Sequence, residues 1–206
     1  RGSRGRALGA RERPLRARIL AEATEIVSAL GVDALTVRGV ASRSGCSTIG
    51  VYTHFGDRTG LVEAVLLAAW DGFDETVSGA DHLSDPVERL VASALAYREW
   101  AVAHPALYPV MFTPGLVDRP AVARRGEASL AAHRERIGAV VASGRFTGVD
   151  AEVLAAATWT QVHGWVLAEL MGAVPLADAE LATSAPEQLE AAVRALLAGF
   201  EVPASR

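Results

Sequence analysis

Apolar residues recur every three to four positions along most of the chain from Pro14 onward, and no stretch alternates with the period of two that marks a half-buried strand. The pattern predicts an all-α protein. Pro14 suits a first helical turn, and Ile19, Ala23, Ile26, Val27 and Leu30 then form one stripe that Gly31 ends. A second short helix is expected from Thr36 and a third from Ser47 to about His54. Asp57 caps a longer helix whose apolar face carries Leu61, Val62, Val65, Leu66, Ala69, Trp70 and Phe73. Further helices are expected from Asp85 to His104, Pro105 to Phe112, Asp118 to Ser143, Asp150 to Gly172 and Pro186 to Phe200. The breaks between them are the stretches SGADHLSD, TPGLVD, SGRFTGVD and VPLADAELATSA. The architecture is therefore about nine helices, a three-helix N-terminal domain and a larger C-terminal helical bundle, without internal repeats.

Residues 36–55, TVRGVASRSGCSTIGVYTHF, carry the most specific pattern. Thr36 can cap a helix with apolar positions Val37, Val40 and Ala41, and Gly45 lies four residues beyond Ala41. Two helices that cross steeply need a small side chain where they touch, which Ala41 supplies. The short reversal between them needs a residue that tolerates positive φ, which is Gly45. Ser47 then caps the next helix, with Cys46, Val51 and Phe55 facing inward and Ser47, Thr48, Gly50, Tyr52, Thr53 and His54 outward. A helical hairpin inside an ordinary bundle explains Ala41 and Gly45. It does not explain why the outward face holds no acid and is flanked by Arg38, Arg43 and Arg58. A helix-turn-helix pressed into a major groove explains both.

Charge sharpens this reading. The net charge is −4, yet residues 1–58 hold ten Arg against five acids, while residues 59–206 hold ten Arg against nineteen acids. A basic DNA-facing end on an acidic body is the physical implication. The chain divides into an arm at 1–13, a DNA-binding domain at 14–58 and a ligand-binding and dimerisation domain at 59–206. The arm, RGSRGRALGARER, reads as a solvated tail, with contact along phosphates or in a minor groove as the alternative. A hydrophobic content of 50% is ample for a core, and no uncharged run reaches the ~18 apolar residues of a membrane span. No charged-then-apolar leader opens the chain, and its one cysteine, Cys46, cannot form an intrachain disulfide. Both features lead us to expect a cytoplasmic protein.

The stretch from Ile19 to Leu66 closely resembles the DNA-binding domain of TetR/AcrR-type transcriptional regulators. The match includes the small-residue turn, the ending Val51-Tyr52-Thr53-His54-Phe55, and Asp57-Arg58 before Leu61. The resemblance implies that Thr36, Tyr52, His54 and Arg58 grip phosphates while Ser47, Thr48, Ile49 and Gly50 face base edges. Arg38 and Thr53 complete the DNA-facing set. Cys46 departs from the more usual valine. As a small apolar filler it packs, with a redox role as the alternative. Because the recognition helix has little Arg or Asn, and a bidentate side chain contributes about 1–3 kcal/mol, discrimination must come from two paired half-sites. That requires a homodimer on palindromic double-stranded operator DNA, with salt-sensitive phosphate contacts.

Segment 150–172 is apolar on nearly every side, and segment 186–200 places Leu189, Val193, Leu196, Leu197 and Phe200 on one face. Two such helices per chain can form a four-helix interface with a second copy, which the resemblance favours, or close a monomer's core. Trp159, His163 and Gly164, preceded by His104-Pro105-Ala106-Leu107-Tyr108, resemble a regulator C-terminal domain of the WHG type. His163 is read as a hydrogen-bonded core residue, with ligand contact as the alternative. The expected walls of a small-molecule pocket are Trp100, Tyr108, Met111, Phe112, Trp159, His163 and Trp165.

No catalytic residue, metal or cofactor is expected, since His54, His82, His104, His133 and His163 are scattered, no Glu-x-x-His pair occurs, and there is no Gly-rich phosphate loop. The reading is a transcription regulator, in the repressor sense, released by a small apolar or aromatic effector. The effector acts by shifting a population in which the recognition helices stand ~34 Å apart, with a coupling of ~1–3 kcal/mol. The competing class is a helical ligand-binding or adaptor protein without sequence-specific DNA binding, in which the outward face of the third helix tolerates acids.

Overall fold

A computed structural model describes residues 12–116, 119–146, 148–173 and 184–200. The expected basic arm, apart from the α1 backbone at its last two positions, and most of the VPLADAELATSA connection lie outside them. Eight α-helices carry the described residues: α1 (Glu12–Leu30), α2 (Val37–Arg43), α3 (Thr48–Phe55), α4 (Arg58–Ser78), α5 (Pro86–Ala103), α6 (Pro120–Ala142), α7 (Ala151–Leu170) and α8 (Ala185–Ala198). Short 3₁₀ turns at Val32–Ala34, Gly79–His82 and Pro109–Phe112 fill gaps between them. The expected helix over 105–112 is thus replaced by turns and one 3₁₀ segment. Pro109 has no N–H to donate to the Pro105 carbonyl, so an α-helix starting at Pro105 cannot close its first turn.

The chain divides into two compact units, residues 1–69 with 106–122 and residues 70–105 with 123–206. α4 contributes its first twelve residues to one and the remainder to the other.

In the first unit, Ile19, Ala23, Ile26 and Val27 of α1, Val40 and Ala41 of α2, Val51 and Phe55 of α3, and Leu61, Val62, Val65 and Leu66 of α4 are all buried. Leu30, expected on the same stripe, is 70% exposed because the helix runs into solvent in its last turn. Leu35, between the 3₁₀ turn and α2, is fully buried in its place. Leu107, Tyr108 and Met111 are buried in this unit as well.

In the second unit α5 packs against both α7 and α8, which also pack against each other. Val87, Leu90, Val91, Tyr97 and Trp100 of α5, Leu154, Val162 and Val166 of α7, and Leu189, Val193 and Leu197 of α8 supply the core. The guanidinium of Arg98 forks onto the Glu169 carboxylate, joining α5 to α7, and Arg194 on α8 forks onto Glu88 of α5 at 2.7 and 2.8 Å.

Candidate nucleic-acid interface and effector site

The turn between α2 and α3 closes by backbone chemistry that the local sequence dictates. Thr36 accepts the Gly39 N–H through its hydroxyl at 3.1 Å and starts α2. At the other end Gly45 has φ +62, its N–H reaches the Ser42 carbonyl at 3.3 Å, and the Cys46 N–H reaches the Ala41 carbonyl at 3.0 Å. These two bonds satisfy carbonyls that the end of α2 leaves open, and glycine adopts the required φ without steric cost. Ser44 is buried and donates to the Val40 carbonyl at 2.7 Å, and Cys46 Sγ lies 3.2 Å from its hydroxyl. Cys46 is half-buried at the base of α3, in the packing position expected of it.

Ser47 starts α3 by accepting the Gly50 N–H at 3.2 Å. With Val51 and Phe55 held inside, the outer face is fixed. Ile49 is 74% exposed and Tyr52 50% exposed, Ser47 and Thr53 are exposed, and Thr48, Gly50 and His54 are half-buried. Residues 47–55 contain no acid, and Arg38 on α2 is exposed beside them in sequence. Thr53 donates its hydroxyl to the Ile49 carbonyl at 2.8 Å. Nδ1 of His54 is buried without a hydrogen-bond partner, which leaves Nε2 as the nitrogen able to meet a phosphate. Arg16 of α1 places its guanidinium carbon 5.0 Å from the centre of the Phe55 ring, a cation–π contact that the sequence pattern did not reveal.

Arg58, expected to grip phosphate, is exposed and also bonded within the protein. Its Nε donates to the Leu35 carbonyl and one terminal nitrogen to the Val32 carbonyl, each at 2.7 Å, so the side chain ties the start of α4 to the segment that leads into α2. At the junction of α3 and α4 the backbones come very close. A Cβ added to Gly60 would lie 2.1 Å from the Phe55 carbonyl oxygen, so only glycine fits. The Asp57 carboxylate accepts the Gly60 N–H at 2.7 Å and completes the cap of α4.

The seven expected pocket residues fall in two places. Tyr108, Met111 and Phe112 belong to the first unit, where Tyr108 and Met111 are fully buried and the Tyr108 and Phe112 rings meet edge to face at 5.1 Å. Trp100, Trp159, His163 and Trp165 belong to the second. There Trp159 stacks on His163 with ring centres 4.8 Å apart, and His163 Nδ1 lies 3.0 Å from the Tyr97 hydroxyl. Phe73 meets Tyr97 at 4.8 Å and Trp100 at 5.5 Å, and Trp100 stacks on His104 at 4.3 Å. The Nε1 of Trp165 is buried without a hydrogen-bond partner. Tyr97, Phe73 and His104 are members of this aromatic chain that sequence reasoning missed. The spacing Tyr97, Trp100, His104 on one helix was the available signal. Burial pushes the His163 imidazole below its ordinary value, so it is neutral at pH 7. Among the described residues no group of three His, Cys, Asp or Glu side chains is placed to hold a metal, and no helix is long and apolar enough to cross a membrane.

Comparison with known proteins places both segments. Residues 19–65 match the family described as bacterial regulatory proteins, tetR family, and residues 90–196 match the tetracyclin repressor-like C-terminal domain. No curated protein sequence matches significantly. Among solved structures, a protein of unknown function from Rhodococcus sp. RHA1 is 24% identical with a TM-score of 0.77, covering 97% of this chain and 100% of its own. The TetR family transcriptional regulator PfmR from Thermus thermophilus is 20% identical with a TM-score of 0.64, covering 90% and 100%. The multidrug binding protein EbrR, complexed with imidazole, is 22% identical with a TM-score of 0.68, covering all of both chains. At these identities the likeness establishes the fold.

Proposed function

The chain belongs to the TetR family of bacterial regulatory proteins, which are ligand-responsive DNA-binding regulators and not enzymes, and from that premise we propose that it is a repressor that binds a palindromic operator as a homodimer and is released by a small apolar or aromatic effector. The observation that carries the proposal is the outer face of α3, which is free of acids, exposed at Ile49 and Tyr52, and set by a turn closed by the Gly45 and Cys46 N–H groups on the Ser42 and Ala41 carbonyls. Residues 14–58 read the DNA, with Ser47, Thr48, Ile49 and Gly50 toward the bases and Thr36, Arg38, Tyr52, Thr53 and His54 toward the phosphates. Arg58 supports this surface by tying the segment that leads into α2 to the start of α4.

Residues 59–206 bind the effector and pair the two copies. The aromatic chain from Trp100 through Phe73 and Tyr97 to His163 and Trp159 supports an effector with a flat apolar body, because such a site offers ring faces and few charges. The homodimer is supported by apolar side chains that their own unit does not fully cover, with Val153 of α7 exposed and Leu196 of α8 and Phe200 just past its end half-buried.

Selection of bound fragments from random duplex DNA, followed by affinity measured at several salt concentrations, tests the proposal. An enriched inverted repeat whose affinity falls steeply with salt is the expected result. Equal, weak binding to every sequence would overturn it in favour of a helical ligand-binding protein or adaptor.

A further inference from the structure

We propose that Ile49 reads its operator through the 5-methyl group of thymine, so that each half-site carries a thymine whose methyl packs on the Ile49 side chain in the major groove. The inference rests on the operator-binding reading above and specifies what that surface recognises.

Two observations support it. The first is the chemistry left available on α3. Residues 47–55 contain no Arg, Lys, Asn, Gln, Asp or Glu, so no side chain there can make the two-point hydrogen bonds that single out guanine or adenine. Two of the three small hydroxyls are partly committed to the helix itself, with Ser47 Oγ accepting the Gly50 N–H and Thr53 Oγ1 donating to the Ile49 carbonyl. Each keeps only part of its bonding capacity for a base edge. The most exposed group offered outward is then the branched hydrocarbon of Ile49, at 74% against 50% for the larger Tyr52. An isoleucine in the middle of a polar face gains nothing from water, and the one apolar feature of the major-groove floor is the thymine methyl.

The second observation is Gly50. Glycine inside a helix costs stability relative to alanine, so it calls for a reason. The fold supplies none. A Cβ at position 50 would meet only Cys46 and Ser47 at 3.7 to 3.8 Å, which is ordinary contact, and the backbone there does not have positive φ. A missing side chain beside Ile49 therefore serves something outside the protein. It lets the helix approach the groove floor closely enough for the neighbouring Ile49 to touch a methyl.

The test uses the full chain and the operator duplex enriched by selection. Each thymine in the half-sites is replaced in turn by deoxyuridine, which keeps every hydrogen-bonding group and removes only the methyl. At one thymine per half-site the wild-type protein is expected to lose about fourfold in affinity, and about fifteenfold when both half-sites are changed. Ile49→Ala should bind the unmodified duplex more weakly and be indifferent to the replacement at that position, while Ile49→Val should retain part of the difference. Both variants should fold, given the exposure of the site. A protein that binds its selected operator yet is unaffected by deoxyuridine at every position overturns the inference and leaves operator binding standing. So does an Ile49→Ala variant that keeps the full penalty. Failure to enrich any sequence overturns operator binding and this inference with it.

Discussion

Arg58 and Leu35 are joined by a hydrogen bond of 2.7 Å from the guanidinium Nε to the backbone carbonyl, across 23 residues of sequence. A second bond, to Val32, fixes the plane of the guanidinium. The side chain therefore ties the segment that leads into α2, where Thr36 and Arg38 follow, to the start of α4, and on the proposed reading it serves DNA binding through that tie. Arg58→Met should weaken operator binding at all salt concentrations alike. The slope of log affinity against log salt should change by much less than the ~0.9 that accompanies loss of one phosphate contact. Arg38→Ala, which removes an exposed charge, should lower that slope by about the full amount. Titrations of the two variants between low and moderate salt separate a positioning residue from a phosphate contact.

Two glycines ten residues apart should respond to alanine in opposite ways. Gly50→Ala meets only ordinary contacts and replaces the weaker helix former, so it should stabilise the protein by about 0.5–1 kcal/mol, a rise of a few degrees in the thermal midpoint. The same change should weaken operator binding, because the new methyl stands between α3 and the groove. Gly60→Ala drives its Cβ into the Phe55 carbonyl and should destabilise by about 1–3 kcal/mol. Thermal unfolding and operator titration of both variants check the contrast.

The parts of the site that could be read from sequence are those set by local chemistry. Thr36, Ser47 and Asp57 act as caps within three residues of their partners, and Gly45 takes positive φ because the turn after α2 has no other closure. Periodicity located the buried face of α4 residue by residue. It failed at Leu30, which satisfies the spacing yet lies beyond the last neighbour that could cover it, and over 105–112, where an apolar run hid the missing donor of Pro109. Contacts made at long range had no local signature. Tyr97 finds His163 across 66 residues and Arg98 finds Glu169 across 71, and only the packing of α5 on α7 brings them together.

The Tyr97 and His163 pair supplies a test of the effector site. Tyr97→Phe removes one hydroxyl from a 3.0 Å hydrogen bond and leaves the ring against Phe73. It should cost about 0.5–1.5 kcal/mol in stability while preserving operator affinity. If the aromatic chain is the effector site, the concentration of effector that releases the operator should shift. A lost hydroxyl that alters stability alone would place the effector elsewhere.

Stability should fall with pH in two separate windows. Burial pushes both His133 and His163 below 6.5. For His133 a hydrogen bond to the Ala155 carbonyl opposes that push, and Arg136 and Arg134 add to it. The native chain then binds fewer protons than the unfolded chain below pH 6.5, so this contribution is complete above that value and is lost as pH falls through it. Asp81 is held below 3.8 chiefly by its hydrogen bonds from Arg136, so its contribution persists to lower pH and is lost only as the solution approaches and passes 3.8. Replacing both histidines with Asn should flatten the midpoint of thermal unfolding between pH 7.5 and 5.5 and leave the acid limb in place.

The last expectation concerns α8, which buries Leu189, Val193 and Leu197 inside its own unit and leaves Leu196 half-covered beside them, as is Phe200 just past the helix end. On α7, Val153 is 59% exposed. An apolar stripe this wide on a helix already packed against α5 and α7 is more than one chain requires, and a second copy is the partner that the proposed two-fold operator would demand. Leu196→Asp should leave the fold intact, because the position is not enclosed by its own chain. Across a two-fold axis, however, it would place two carboxylates in the interface, a desolvation cost of several kcal/mol. The expected outcome is a helical monomer by sedimentation whose operator affinity drops by more than tenfold, since each half-site is then bound alone. A Leu196→Asp protein that remains dimeric would move the interface away from this face of α8.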